Sequence, residues 1–152
     1  MGMAISSYVT GAGKAIYWND MPHSGVIVKV DRGGGVAVLC GSSDIGQGSD
    51  TMLATVVAEE LGVELLDIRV HAGDTDLTPV DLGSYSSRVT FMAGNAAREA
   101  ARKLRAWLLE AAGELLDAPP DQLEASARRI SVRGDPERFV SFAEAAQKAE
   151  AT

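Results

Sequence analysis

Cysteine is nearly absent from this chain: Cys40 is the only one in 152 residues. An internal disulfide is therefore excluded, and so are zinc sites of the multi-cysteine type. Histidine is almost as scarce. His23 and His71 are the only two. They lie far apart in sequence, neither has a metal-like neighbour, and no nucleophile–histidine–acid set can be read around them. Basic charge is also short, with 14 Lys and Arg against 21 Asp and Glu, for a net charge of −7. Generic nucleic-acid binding is excluded on that ground, because phosphate neutralisation needs clustered cations. No run is long or apolar enough to cross a membrane, and no signal peptide is expected. The expected location is cytoplasmic.

What is present fits a folded core. The apolar fraction of 46% is ordinary for a globular protein. The length corresponds to one domain or one lobe of a larger one, and residues 1–152 are read as a single partial domain. Cys40 closes the apolar run Val36–Leu39 and is read as a buried small hydrophobe. The one basic cluster, Arg98, Arg102, Lys103 and Arg105, has helical spacing, is interleaved with acids, and is read as a solvated helix face.

Met3–Val9 reads as a first strand, ended by Thr10-Gly11-Ala12-Gly13. Lys14–Ser24 is irregular. Gly25–Val30 and Gly35–Cys40 are β-branched runs joined by Asp31-Arg32-Gly33-Gly34, a hairpin signal. Ser49 or Asp50 is placed to cap a helix whose apolar face carries Leu53, Val56, Val57 and Leu61 and which Gly62 stops. Leu65–His71 reads as a strand, and a long loop covers Ala72–Ser87. A second helix begins near Arg88–Phe91 and runs to about Leu116, with Ala97, Ala101, Leu104, Leu108, Ala111 and Leu115 as its buried stripe. Pro119-Pro120 breaks the chain. Leu123–Ala127 and Ile130–Arg133 form a short hairpin, and Ser141 with Glu144 spells a capping box that opens a helix at Phe142. The expected class is α+β, a mixed or antiparallel sheet with helices packed on it, in the order β-β-β-α-β-α-β-β-α.

Two loops concentrate the chemistry. Gly46-Gln47-Gly48, followed by Ser49, offers backbone donors to a phosphate and a Gln amide to an oxo or sulfur ligand. The alternative is a plain tight turn. Ser84, Ser86, Ser87 and Thr90 bring four hydroxyls in seven residues to a helix start. They serve either as caps or as contacts to an anion. Arg88 suits either a phosphate fork or a structural bridge to Asp81 or Asp76. Gly11-Ala12-Gly13-Lys14 lacks the rest of a phosphate-loop motif, and Asp44, Asp50, Asp74, Asp76 and Asp81 lack the spacing of a calcium loop. No metal ligands are assigned.

These loops, in this order and at this separation, resemble the molybdenum-cofactor-binding large subunit of the xanthine dehydrogenase and aldehyde oxidase family. The likeness runs from Gly2–Gly25 through the hairpin and the Gly46-Gln47-Gly48 turn. It continues through the helix with Val57-Ala58-Glu59-Glu60-Leu61-Gly62 to Gly73-Asp74-Thr75-Asp76 and Ser84–Ala97. Thr75–Thr78 and Gly83–Thr90 look most like the 4-hydroxybenzoyl-CoA reductase large subunit.

The resemblance implies a molybdopterin-binding lobe of an oxidoreductase acting on an aromatic or heteroaromatic substrate. It implies cofactor contacts at Gly46, Gln47, Gly48, Ser49, Ser84, Tyr85, Ser86, Ser87 and Arg88. The cofactor would be molybdopterin with its molybdenum, in plain or cytosine dinucleotide form. Partners would be the remaining lobes together with iron–sulfur and FAD subunits, since one cysteine cannot hold a cluster. No segment matches the family's catalytic glutamate, and Glu59, Glu60 and Glu99 do not fit that role. The chain alone is therefore expected to be inactive, to bind cofactor weakly and to self-associate. The alternative is a stand-alone interaction or assembly module without cofactor.

Overall fold

The computed structural model describes residues 2–7 and 24–151. The expectations for Tyr8–His23, including the end of the first strand and the Gly11–Lys14 turn, lie outside the described residues. Met3–Ser7, the described part of that strand, forms no strand. An isolated extended segment has little stability without an edge to pair with.

The class is α+β, with two small sheets and three helices. Strand β1 (Val26–Val30) pairs antiparallel with β2 (Val36–Cys40). The turn between them is built by Asp31, whose carboxylate accepts the N–H groups of Gly33 and Gly35 at 2.7 and 3.0 Å. Helix α1 (Ser49–Leu61) then crosses over to β3 (Ile68–Ala72), which lies parallel to β2. Leu65–Asp67, expected as the start of that strand, is a 3-10 turn closed by mutual Glu64–Asp67 capping. Helix α2 (Val89–Leu116) is 28 residues long, or about 42 Å at 1.5 Å per residue.

Side-chain alternation decides which face of the first sheet is covered. Val36, Val38 and Cys40 are buried on β2, and α1 supplies Leu53, Val57 and Leu61, each fully buried. Ala93, Ala97 and Ala101 are fully buried on α2. Small residues at these positions let α1 lie close along α2. Farther along α2, Leu108, Ala111, Ala112 and Leu116 join Leu123, Ile130, Phe142, Ala145 and Ala149 in the same core. Leu115 was expected in this stripe but is 46% exposed. Over so long a helix the 3.6-residue period drifts, and Leu116 takes the inward position.

The second sheet is antiparallel, in the order β4 (Leu123–Ser126), β5 (Arg129–Val132), β6 (Asp135–Ser141). Ala127 and Arg128 sit at φ 48° and 62°, the geometry of a two-residue hairpin turn. Strand β6 lacks an apolar alternation. Its Pro136 and charged residues suit an edge strand, which explains why periodicity misses it. Helix α3 (Phe142–Glu150) opens with the expected capping box, with Glu144 N–H donating to Ser141 Oγ and Ser141 N–H donating to Glu144.

Candidate functional site

The loop entering α1 is organised around its own carboxylate. Asp44 accepts the N–H groups of Gly46 at 2.8 Å, Gly48 at 3.4 Å and Asp50 at 3.3 Å. Neither Ser49 nor Asp50 caps the helix. The N-cap is Gly48, at φ 77°, with no side-chain capping bond. Asp44 instead fills the positive end of α1 from outside the helix. These backbone donors, Gly46 first, hold its carboxyl below the ordinary range. Asp50 moves the other way, raised by burial and by the charge of Asp44.

Gln47 is fixed by three bonds. Its Oε1 accepts Ile45 N–H at 2.6 Å, and its Nε2 donates to Ser43 O at 3.2 Å and to buried Ser49 Oγ at 3.0 Å. Gly46 at φ 98° and Gly48 at φ 77° make the reversal that presents it.

The second loop is also tied internally. Asp74 is a turn-former: its Oδ1 accepts Asp76 N–H at 2.9 Å and its carbonyl accepts Thr78 N–H at 2.8 Å. At the loop's base, Asp81 Oδ1 accepts Gly83 N–H at 2.7 Å and Arg88 Nη1 at 3.0 Å. Both side chains of this ion pair are buried. Arg88 also donates to Gly83 O at 3.0 Å and to Ser24 Oγ at 3.3 Å, and its guanidinium lies 5.4 Å from the Tyr85 ring centroid. Of the two roles open to Arg88, the structure shows the internal bridge to Asp81.

The two loops meet. Ser84 Oγ donates to Ser43 O at 2.5 Å, on the same carbonyl that receives Gln47. Ile45 and Gln47 face Ser84–Thr90 across a recess of about 290 Å³. It opens at the N-terminus of α2, where the N-cap Arg88 makes no side-chain cap and the first turn has no acidic residue. Ser86 and Ser87 stand in the left-handed region at φ 55° and 52°. Consecutive non-glycine residues in this conformation cost of order 1–3 kcal/mol each and cluster at ligand clamps.

Gln47, Ser84, Tyr85, Ser86, Ser87 and Arg88 therefore line one recess. Gly46, Gly48 and Ser49 lie behind it and hold Gln47. The residue that sequence reasoning missed is Ser43, whose carbonyl joins the loops; no motif marks it. His71 sits on the far side of the first sheet, and His23 lies outside the described residues.

The hydroxyls, the fixed amide and the acid-free helix end fit a polar, phosphate-bearing group. They define an α+β domain with an anion-compatible recess where two loops meet at a helix start. The family described as "Molybdopterin cofactor-binding domain" matches residues 1–152, and the chain belongs to it.

The chain is 41% identical over 121 residues to the 6-hydroxypseudooxynicotine dehydrogenase complex subunit gamma of Paenarthrobacter nicotinovorans, covering 80% of this chain and 15% of that one. It is 37% identical over 119 residues to the carbon monoxide dehydrogenase large chain of Afipia carboxidovorans, covering 78% of this chain and 15% of that one. The crystal structure of quinoline 2-oxidoreductase from Pseudomonas putida 86 superposes with a TM-score of 0.76 at 31% identity, over 82% of this chain and 16% of that chain. The chain thus spans about a sixth of the length of these relatives.

Proposed function

We propose that this chain holds the molybdopterin cofactor in the recess between the Asp44–Ser49 and Gly83–Arg88 loops, as one part of a molybdenum-dependent oxidoreductase. The observation that carries this reading is the meeting of Gln47 with Ser84, Ser86 and Ser87 at an acid-free helix N-terminus. When bound, the cofactor supplies two-electron redox chemistry, and the chain binds and orients it.

Gln47 would offer the remaining lone pair of its Oε1 to a pterin N–H, its two amide hydrogens being held by Ser43 O and Ser49 Oγ, with Gly46, Gly48 and Ser49 setting its position. The serine hydroxyls and the backbone from Tyr85 to Arg88 would hold the phosphate-bearing tail, including the cytosine dinucleotide form. Arg88 would act through its backbone, because its side chain is committed inward.

The reaction we propose for the assembled enzyme is oxidoreduction of an aromatic or heteroaromatic substrate. Quinoline 2-oxidoreductase and a nicotine 6-hydroxylase large subunit, both named for heteroaromatics, support this by their likeness. The wording of Gly83–Thr90 favours 4-hydroxybenzoyl-CoA within that range. Iron–sulfur and FAD-bearing polypeptides would complete the electron path, in the cytoplasm. Among the described residues no helix is long and apolar enough to cross a membrane.

The test is molybdenum and pterin analysis of the chain purified alone and after co-expression with candidate partner subunits. Pterin retained with partners, and reduced at least tenfold by S86A/S87A at an unchanged melting temperature, is the expected result. Equal pterin in the variant would overturn the site. A second reading, an assembly module without cofactor, draws on the exposed Ile45, Val80 and Phe91. It requires partner capture with no pterin in either preparation.

A further inference from the structure

We propose that the outer face of the first sheet, centred on Lys29 and Arg69, docks an acidic segment of a partner polypeptide. This surface lies away from the recess, and the inference is independent of the cofactor reading.

The register places the two cations in one row. Lys29 on β1 and Arg69 on β3 both neighbour Ala37 on β2, and the next row is Ile27, Leu39 and His71. Lys29, Arg69 and His71 are all exposed, on the side away from the helices. Small Ala37 leaves the middle of the row low. The result is a concavity of about 650 Å³, bordered by the Asp31–Gly35 turn, by Leu66 and Asp67, and by Arg128.

Neither bordering acid forms an ion pair with Lys29 or Arg69. Asp31 is used by the N–H groups of Gly33 and Gly35. Asp67 accepts Glu64 N–H at 3.0 Å and pairs with Arg128 at 3.0 Å. Among the described residues neither Lys29 nor Arg69 has an ion-pair partner. The basic stretch on α2 differs in this respect. Arg98, Arg102 and Arg105 converge on Glu60 at 3.8, 3.9 and 4.0 Å. In a chain of net charge −7 these two exposed cations form a local exception.

Span decides the class of occupant. Lys29 and Arg69 are two strand spacings apart, about 10 Å. A single phosphate would engage both only with the two long side chains folded inward over Ala37, whereas extended side chains leave two separate cationic ends. Carboxylates at alternate positions of an extended segment, about 7 Å apart with flexible side chains, can meet both ends. Exposed Leu66, at 96%, and Ile27, at 41%, offer apolar contact at the margins, as a polypeptide interface uses. Complementary charge of this kind sets orientation and association rate.

The probe is an octaglutamate peptide titrated into the isotopically labelled chain at low salt, followed by NMR. Shifts confined to residues 27–31, 35–39 and 66–71 are expected. Affinity should weaken at least tenfold in K29E/R69E with the melting temperature unchanged, while R98Q/R102Q binds as the parent does. K29Q/R69Q serves if the charge-reversed protein fails to fold. No shifts at millimolar peptide, or shifts mapping to Arg98–Arg105, would overturn the proposal. So would equal shifts at the same concentration of inorganic phosphate, which would make this a small-oxyanion site. Self-association abolished by K29E/R69E would overturn it in favour of a second copy of the chain.

Discussion

The Asp81–Arg88 pair shows what a single residue does here. With both side chains buried, the pair is valued for what its loss leaves behind. Removing one partner strands an uncompensated charge in a low-dielectric setting, at about 3–5 kcal/mol. Asp81→Ala and Arg88→Met should each lower unfolding free energy by about that amount in urea titrations, and the double variant should lose less than the sum. Additive losses would show that the two side chains are not coupled. Sequence reasoning left Arg88 open between a ligand fork and a bridge because burial is not written at one position. Only the fold brings Ser24 and Gly83 around it.

Asp44 makes a residue-scale prediction of different sign content. Its folded pKa is depressed by backbone N–H groups. Its contribution is therefore fully present above the ordinary carboxylate range and is lost as pH falls through the depressed value. Melting temperatures from about pH 7 down to about pH 3 should fall less steeply for Asp44→Asn than for the parent. Asp50 opposes this, since its raised pKa makes its ionisation on rising pH unfavourable to the fold.

At the scale of elements, the local signals read well and the remote ones did not. The β1–β2 hairpin, the Gly62 stop, the span of α2 and the Ser141–Glu144 box all rest on neighbours within a turn or two, and all are seen in the structure. The start of α1 was misread because its donors are met by Asp44, outside the helix, rather than by Ser49 or Asp50. The candidate recess was legible as two loops. The carbonyl of Ser43 that joins them was not.

Gly62 shows an element boundary serving a second purpose. It ends α1 at φ 70°, and a Cβ there would come within 2.8 Å of Ser126 N, in the hairpin of the second sheet. Its carbonyl accepts Arg128 N–H at 3.0 Å. Gly62→Ala should therefore cost more than the ~1 kcal/mol of a left-handed alanine, with about 2 kcal/mol or more lost in denaturant titration. Gly46→Ala has no atom within 4 Å of its added carbon, and it should lose only the backbone part. Equal losses would mean that the α1–hairpin junction contributes nothing beyond φ.

The whole molecule is held together by α2. This helix packs on α1 and β1 along one part of its length, and on the second sheet and α3 along another. The buried side chains of both parts form one cluster. Each sheet has one helix of its own, α1 on the first and α3 on the second, and both share α2, so the two covers join in one core. Leu108 is 1% exposed, on the C-terminal half of α2. Leu108→Ala removes buried methyl groups and leaves a cavity, which costs about 2–5 kcal/mol. If the chain unfolds as one unit, that loss must appear equally in the global protection of β2 amides and of β5 amides, although only one of them belongs to the second sheet. Native-state hydrogen exchange on the parent and the variant measures both at once. A drop confined to β5 and α3 would instead mark the second sheet as a separately opening unit. The recess at the other end of α2 would then keep its geometry while the second sheet opens.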